Sequence, residues 1–342
     1  MTSKRHRALF IGRGGAAFGM GHLVRLDALI QEFTHDFEVS IAASLDNHGQ
    51  FFLKRRRIDF FAYRGERELS SYLSRIPRFD IIVVDVYPPD RRLLAAVRNH
   101  GDHLLCFDDM GKVADENIAR VYLCPQETFK RKIISRLNSS VIMGSDFFPL
   151  RPDIINSRKN KRWNGRVKDI AIVLGGAPQI KKNLNLIRLL DRLIDNSVTF
   201  HVVSGFEQTP STRVSFSTRI NSLNNVDTMG DLISRMDMGI IAGGFVKFEF
   251  MCIGTPFAMV SLSSHQEVLT RKFSARGYGD DWGPVEGCLA DPEKLQEKAV
   301  AFIADEKKRA VMFARSRRLV DGLGSCRILR LAKGLIQGEK IK

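Results

Sequence analysis

Cysteine is scarce in this sequence and nowhere paired. The five residues Cys106, Cys124, Cys252, Cys288 and Cys326 are odd in number, scattered and without C-x-x-C spacing. That excludes a disulfide framework and a cysteine-based zinc site. Cys106, Cys124 and Cys252 stand in apolar runs and read as small buried hydrophobes. Long apolar runs are missing as well. No stretch approaches the roughly 20 apolar residues of a membrane span. The apolar run behind the basic start covers only residues 8–11, short of the roughly 7–15 of a secretory signal, so the expected compartment is the cytoplasm. Low-complexity tracts and short-period repeats are absent. The histidines outside the motifs below (His6, His35, His48, His100, His103, His201) have no partners at metal-ligand spacing, and neither a metal nor a cofactor is expected.

What is plentiful is positive charge, +15 over 342 residues. It gathers at residues 4–7, 54–57, 157–162 and 315–318. No nucleic-acid module accompanies it and aromatics do not interleave with the basic runs, so no nucleic-acid partner is expected. A solvated basic surface accounts for most of the excess, with peripheral association with an anionic membrane surface as the next reading. With 44% hydrophobic and 27% charged residues the chain is an ordinary globular protein, long enough for two domains.

Short apolar runs alternate with amphipathic ones. Strand candidates in the first half are residues 8–11, 39–43, 58–63, 79–85, 104–108, 121–124 and 141–143, with helices at 22–34 and 91–99. Residues 151–168 are polar and basic. After them the pattern restarts, with strands at 169–174, 200–204, 239–242 and 257–262 and helices at 184–194, 248–253 and 268–275. Helical stretches at 292–304, 307–320 and 326–336 finish the chain. Strand followed by helix, repeated, is the pattern of parallel α/β layers. The expected division is a Rossmann-like domain over 1–155, a linker over 156–168, a second Rossmann-like domain over 169–325 and a terminal helix over 326–342. A ligand is expected in a cleft between the domains, at the carboxyl ends of their strands.

A glycine-rich turn ending on a histidine, Arg13-Gly-Gly-Ala-Ala-Phe-Gly-Met-Gly21-His22, follows the first strand and opens the first helix. Glycines let the backbone approach a ligand, and the helix start behind them offers unpaired N–H groups. A histidine there can exchange protons near neutral pH at a site suited to anions. Residues 12–17 formally satisfy G-x-G-x-x-A, but the acidic residue of a nicotinamide site comes too late, near 44–46. A second glycine turn, Gly175-Gly176, has Lys181, Lys182 and Asn183 behind it, and a third, Gly243-Gly244, precedes Lys247 and Glu249. Each is the place for a pyrophosphate, and Glu249 could accept from ribose hydroxyls. Asp85-Val-Tyr87 closes an apolar strand, and His265-Gln266 follows another. Asp108-Asp109 also closes a strand and reads as a hydrogen-bonded loop anchor rather than a metal site.

At these residues the chain resembles the PseG/SpsG group of nucleotide-sugar enzymes. The likeness is carried by Gly-Met-Gly-His22-Leu-Val-Arg25, Asp85-Val-Tyr87, Leu174-Gly-Gly with Asn183, Ile241-Ala-Gly-Gly244 with Glu249, and Gly254-Thr-Pro256 to Gln266. Phe148-Pro-Leu-Arg-Pro-Asp153 resembles the family's pre-linker segment. The resemblance implies a GT-B architecture similar to the MurG glycosyltransferase, and hydrolysis of a UDP-linked diacetamido-trideoxy sugar on the way to pseudaminic acid. His22 would then activate water at the anomeric carbon, with Tyr87 near the sugar and Gly243, Gly244 and Glu249 at the pyrophosphate and ribose. A glycosyltransferase of the same fold, using a lipid-linked or polysaccharide acceptor, is the alternative, and a non-catalytic sugar-nucleotide binder the third reading. Three departures stand out. Phe245-Val246-Lys247 replaces small hydroxylated residues, so that Lys247 would supply charge instead, His265 replaces asparagine, and glycine replaces an acidic residue just after Arg13.

Overall fold

The computed structural model describes residues 5–15, 18–87, 90–109, 113, 118–122, 132–136, 139–175, 180–194, 197–204, 220–224, 226 and 228–339. Two compact units are present, one of Met1–Arg151 with Gly322–Lys342, the other of Pro152–Asp321. Residues 156–168, read from sequence as a linker, lie within the second unit, and the terminal helix Gly324–Ile336 belongs to the first.

The first unit holds an eight-stranded sheet. Its strands are β1 (His6–Gly14), β2 (Phe37–Leu45), β3 (Phe61–Ala62), β4 (Phe79–Asp85), β5 (Gly101–Phe107), β6 (Ala119–Tyr122), β7 (Lys132–Arg136) and β8 (Ser139–Met143), in the order β3-β2-β1-β4-β5-β6-β8-β7. All neighbours are parallel except β7 with β8. The central strands are apolar on both faces, as a sheet covered by helices on both sides requires. Leu9, Ile11, Ile82, Val84 and Cys106 belong to one core cluster, while Phe10 stacks edge-on against Phe33 of the helix Gly21–Phe33.

The second unit carries β9 (Asp169–Val173), β10 (Thr199–Ser204), β11 (Ile220–Asn224), β12 (Met238–Ala242), β13 (Phe257–Ser261) and β14 (Asp280–Pro284), all parallel in the order β11-β10-β9-β12-β13-β14. Sequence pattern anticipated neither β7, β11 and β14 nor the short helices Asn47–Arg55, Glu66–Leu73, Met229–Arg235 and Val285–Ala290. It placed a strand over 58–63 where only Phe61–Ala62 pairs. β14, Asp-Asp-Trp-Gly-Pro, owes its place to one buried side chain, Trp282, in the core.

Part of the basic excess has a structural use. Arg158 donates to the carbonyls of Cys252, Arg317 and Val320, and Arg317 to those of Arg158 and Ile253. Most of these carbonyls end the helices Val246–Ile253 and Glu306–Leu319, where last-turn oxygens lack partners and a cation is favoured.

Candidate functional site

Among the parallel strands of each sheet the chain reverses its order at one place, between β1 and β4 in the first and between β9 and β12 in the second. Loops at the carboxyl ends of strands flanking such a point diverge and leave room for a ligand. The sequence-predicted residues fall at these two places.

In the first unit β1 runs into a turn in which Gly15 (φ +144°) and Gly19 (φ +79°) face each other across a short antiparallel bridge. Glycine is required there. A Cβ on Gly15 would lie about 2 Å from the Asp46 carboxylate, and one on Gly14 at 2.3 Å from Leu23. The close approach of the helix Gly21–Phe33 to β1 depends on that missing volume. Gly21 and His22 are its first two residues, and Arg25 follows three later on the same face.

Asp85, paired in register with Gly12, ends β4 and lies fully buried between those two side chains. It accepts from Nδ1 of His22 at 2.7 Å. It also takes both arms of the Arg25 fork, Nε on Oδ2 at 2.7 Å and Nη2 on Oδ1 at 2.6 Å. Arg25 is 1% exposed. Its other side donates to Asp109, Nη1 at 3.3 Å and Nη2 at 3.0 Å, and its guanidinium lies 4.6 Å over the Phe107 ring. Tyr87 stacks on His22, ring centroids 6.2 Å apart and 11° from parallel.

The tautomer of His22 follows from the bond to Asp85. Carboxylate oxygens only accept, so Nδ1 carries the proton and Nε2 the lone pair of the neutral ring. Burial by itself would raise the Asp85 carboxyl, yet Arg25 and then His22 outweigh it and hold the group well below the usual carboxylate range. Burial works against the Arg25 charge too, and the two carboxylates reverse that, raising the guanidinium above its ordinary value.

A depressed acid contributes stability above its unfolded value, about 3.9, and loses it as pH falls through the lower folded value. Stability from this cluster is therefore expected to stay flat from pH 7 to about 4 and to fall below that. Acid unfolding of wild type and Asp85→Asn, followed by far-UV circular dichroism, checks this. The difference in stability between the two proteins should shrink below pH 4.

Of the residues expected at this site, His22, Arg25, Asp85 and Tyr87 come together, and Gly21 starts the helix. Arg13, on β1, directs its guanidinium over the exposed Phe18 ring at 5.2 Å. Sequence reasoning gave Asp108 and Asp109 a single role, and the structure separates them. Asp108 anchors its loop by accepting from the Val113 N–H at 2.8 Å, whereas Asp109 pairs with Arg25. The available signal was the position of Asp109 just beyond β5, adjacent to β4 in the sheet.

In the second unit the turn after β12 is pressed against the helix Ser264–Ser274. A Cβ on Gly243 would lie 2.5 Å from Thr270, and one on Gly244 at 3.7 Å from Gln266 Nε2. Gln266 is fixed by accepting from the Leu262 N–H at 2.9 Å, and His265 sits half-buried beside it. Lys247 is not presented outward as a phosphate ligand. It is 1% exposed, and Nζ donates to the carbonyls of Gly243 and Gly244, both at 2.9 Å. Nζ also lies about 5 Å from the centroids of the Phe248 and Phe273 rings. Its position one turn behind the glycines turns the stem inward and uses the charge to fix the direction of those two peptide groups. Glu249 is largely buried on the same helix.

At the end of β9, Gly175 adopts φ +76°, while Gly176 lies outside the described residues. Asn183 is 9% exposed in the first turns of the helix Ile180–Leu193, its Oδ1 without a partner among the described residues. No group of three or more His, Cys, Asp or Glu side chains among the described residues has the arrangement of a metal cage. No helix there is long and apolar enough to cross a membrane.

No protein-family model matches the chain. Over 336 residues, 95% of this chain and 97% of the other, it is 20% identical to the spore coat polysaccharide biosynthesis protein SpsG of Bacillus subtilis (strain 168). Among solved structures, the spinosyn forosaminyltransferase SpnP is similar with a TM-score of 0.67 at 13% identity, covering 98% of this chain and 100% of that one. MurG of Acinetobacter baumannii gives 0.64 at 15% identity, covering 96% and 99%. HepE of Anabaena, solved with UDP and glucose, gives 0.56 at 13% identity, covering 96% and 100%. By sequence over nearly its whole length the chain is a homologue of SpsG, and by fold it is an α/β protein of the GT-B class.

Proposed function

We propose that the protein is a nucleotide-sugar hydrolase that cleaves the anomeric C–O bond of a UDP-linked amino sugar, of the kind used in the pseudaminic-acid pathway, and releases UDP and free sugar. The observation that carries the reading is the His22–Asp85 pair at the carboxyl edge of the first sheet. With its Nδ1 proton held by Asp85, His22 takes a proton from water at Nε2 while the water oxygen bonds to the anomeric carbon. The bond from that carbon to the diphosphate oxygen breaks, and its electron pair leaves with UDP. A positioned base of this kind contributes about 10²–10⁴-fold. The leaving charge is assigned to the second unit, to the N–H of Gly244 and the helix start behind it, the Gly243 N–H being given to the Val260 carbonyl at 3.1 Å. Glu249 is assigned to the ribose. The bound UDP in a structure of the same fold supports the choice of nucleotide.

A second reading is a glycosyltransferase of the same fold in which an acceptor hydroxyl, lipid-linked or on a polysaccharide, takes the place of water. The transferase names among the fold relatives and the polysaccharide role in the name of SpsG favour it. Both readings place the protein in the cytoplasm, the second at an anionic membrane surface. A panel of nucleotide sugars assayed for UDP or CMP release, with and without acceptor, separates them. Release in water alone supports the hydrolase, and release only with acceptor supports the transferase. His22→Ala is expected to bind UDP as wild type does and to lose about 10²–10⁴-fold in turnover. Unchanged turnover would remove His22 from its role.

A further inference from the structure

We propose that Asp109 is a positioning residue for the His22 site, acting through Arg25 and Asp85 to keep the ring proton on Nδ1 and the proton-accepting lone pair on Nε2. The proposal rests on the reading of His22 as the base, and it concerns a residue that the family resemblance did not single out and that the sequence pattern gave only a loop-anchoring role.

Charge is the first argument. Arg25 and Asp85 already neutralise each other through two short bonds. A second buried carboxylate, 8% exposed, is costly to bring there, and it exceeds what net neutrality with one guanidinium needs. With Asp109 present, two carboxylates face one guanidinium, and the surplus negative charge is matched when the imidazole of His22 takes a second proton. The neighbouring Asp108 is committed to the Val113 N–H. Burial, followed by the carboxylates of Asp108, Asp85 and Asp109, pushes the Cys106 thiol up and keeps it neutral.

Geometry is the second. Nη2 of Arg25 is shared between Asp85 Oδ1 and Asp109 Oδ2, and it also lies 3.3 Å from Nδ1 of His22. A guanidinium is planar, so gripping Nη1 and Nη2 from the Asp109 side fixes the plane in which Nε and Nη2 meet Asp85. That in turn aims Oδ1 of Asp85 at Nδ1 of His22. Without the outer grip the fork can pivot about its Nε bond, bringing Nη2 toward Nδ1. An N–H approaching Nδ1 favours the opposite tautomer, with the lone pair on Nδ1 and the proton on Nε2.

The test is ¹⁵N NMR of protein labelled in its histidine rings, at a pH alkaline enough for the neutral ring to be read. The His22 signals among the eight histidines are identified by their loss in His22→Gln. Wild type is expected to show the Nδ1–H tautomer as the dominant form. In Asp109→Asn, which keeps the shape and removes the charge, the Nε2–H tautomer should gain population, with kcat down by about 10–100-fold and KM within about twofold. Asp109→Glu, which restores the carboxylate, should recover most of both. The proposal is overturned if wild type shows the Nε2–H tautomer, a measurement that needs no variant of Asp109 to fold. It is overturned equally if Asp109→Asn leaves the ring signals and kcat as they were. Because the tautomer is read without substrate, a shift in the ring signals with no turnover of any sugar nucleotide would refute the proposed function and leave the positioning role standing.

Discussion

Asp85→Asn is expected to cost the protein almost all of its turnover and a large part of the stability of its first unit. The amide cannot accept at both of its heavy atoms. With the amide nitrogen in the place of Oδ1, both Nδ1 of His22 and Nη2 of Arg25 meet an N–H instead of an oxygen, and with it in the place of Oδ2, Nε of Arg25 does. For the reaction this breaks the bond that sets the ring's tautomer or, with the carboxylate charge gone, weakens it, and the loss should match that of His22→Ala, about 10²–10⁴-fold in kcat. For folding it leaves Arg25, 1% exposed, with the Asp109 carboxylate still against its guanidinium. Breaking a buried pair by removing one partner costs about 3–5 kcal/mol. The two effects separate experimentally. Urea unfolding at pH 7 reports the stability loss, and kcat measured well below the unfolding midpoint reports the chemistry. A variant that unfolds early but turns over normally would show that Asp85 serves Arg25 alone. A variant of normal stability would show that the guanidinium is solvated in some other way.

The second large effect is expected far from that cluster, at Gly324. This residue starts the terminal helix, and a Cβ on it would lie 2.1 Å from the carbonyl oxygen of Phe148 and 2.5 Å from its carbon. Those are backbone atoms, which cannot swing aside as a flexible side chain can. The helix is bolted down around this contact. Arg327 donates to the Asp146 carbonyl at 2.6 Å, Ser325 to the Ala28 carbonyl at 3.4 Å, and Lys333 pairs with Asp36 at 2.8 Å. Gly324→Ala must therefore push the whole helix start outward. We expect a loss of about 4 kcal/mol or more, the range of severe backbone clashes, and a lowered melting temperature for the first unit. The second unit makes none of these contacts, so calorimetry should show its transition unmoved. A single transition at the wild-type temperature would contradict the geometry.

Much of the site is legible before folding is considered. A glycine-rich turn between an apolar strand and an amphipathic helix puts His22 at a helix start. An apolar strand ending in Asp85 puts a carboxylate at a sheet edge. These inferences need only local periodicity and the α/β pattern. The strands that escaped notice lack that signal. β11, Ile-Asn-Ser-Leu-Asn, is mostly polar and breaks alternation at Asn-Ser, and β14 keeps its place in the sheet through Trp282. Lys247 shows the same limit in a side chain. Its sequence position beside the glycine turn reads as a phosphate ligand, and only the packing of Phe248 and Phe273 around it shows the ammonium turned back onto the turn's own carbonyls.

Taken alone, the sequence determined the α/β class, the two restarting halves, the three glycine turns and the presence of a helix-start histidine and of strand-end acids. Those properties are local, set by which residues follow one another along a strand, a turn or a helix. The tertiary structure decided the rest. It set β4 between β1 and β5, so that Asp85 meets His22 and Arg25 while Asp109, 84 residues from Arg25, closes the other side of the guanidinium. It also returned the terminal helix to the first unit. Strand order and helix docking depend on which buried faces fit one another across long stretches of chain, and no short window of sequence contains both partners of such a fit.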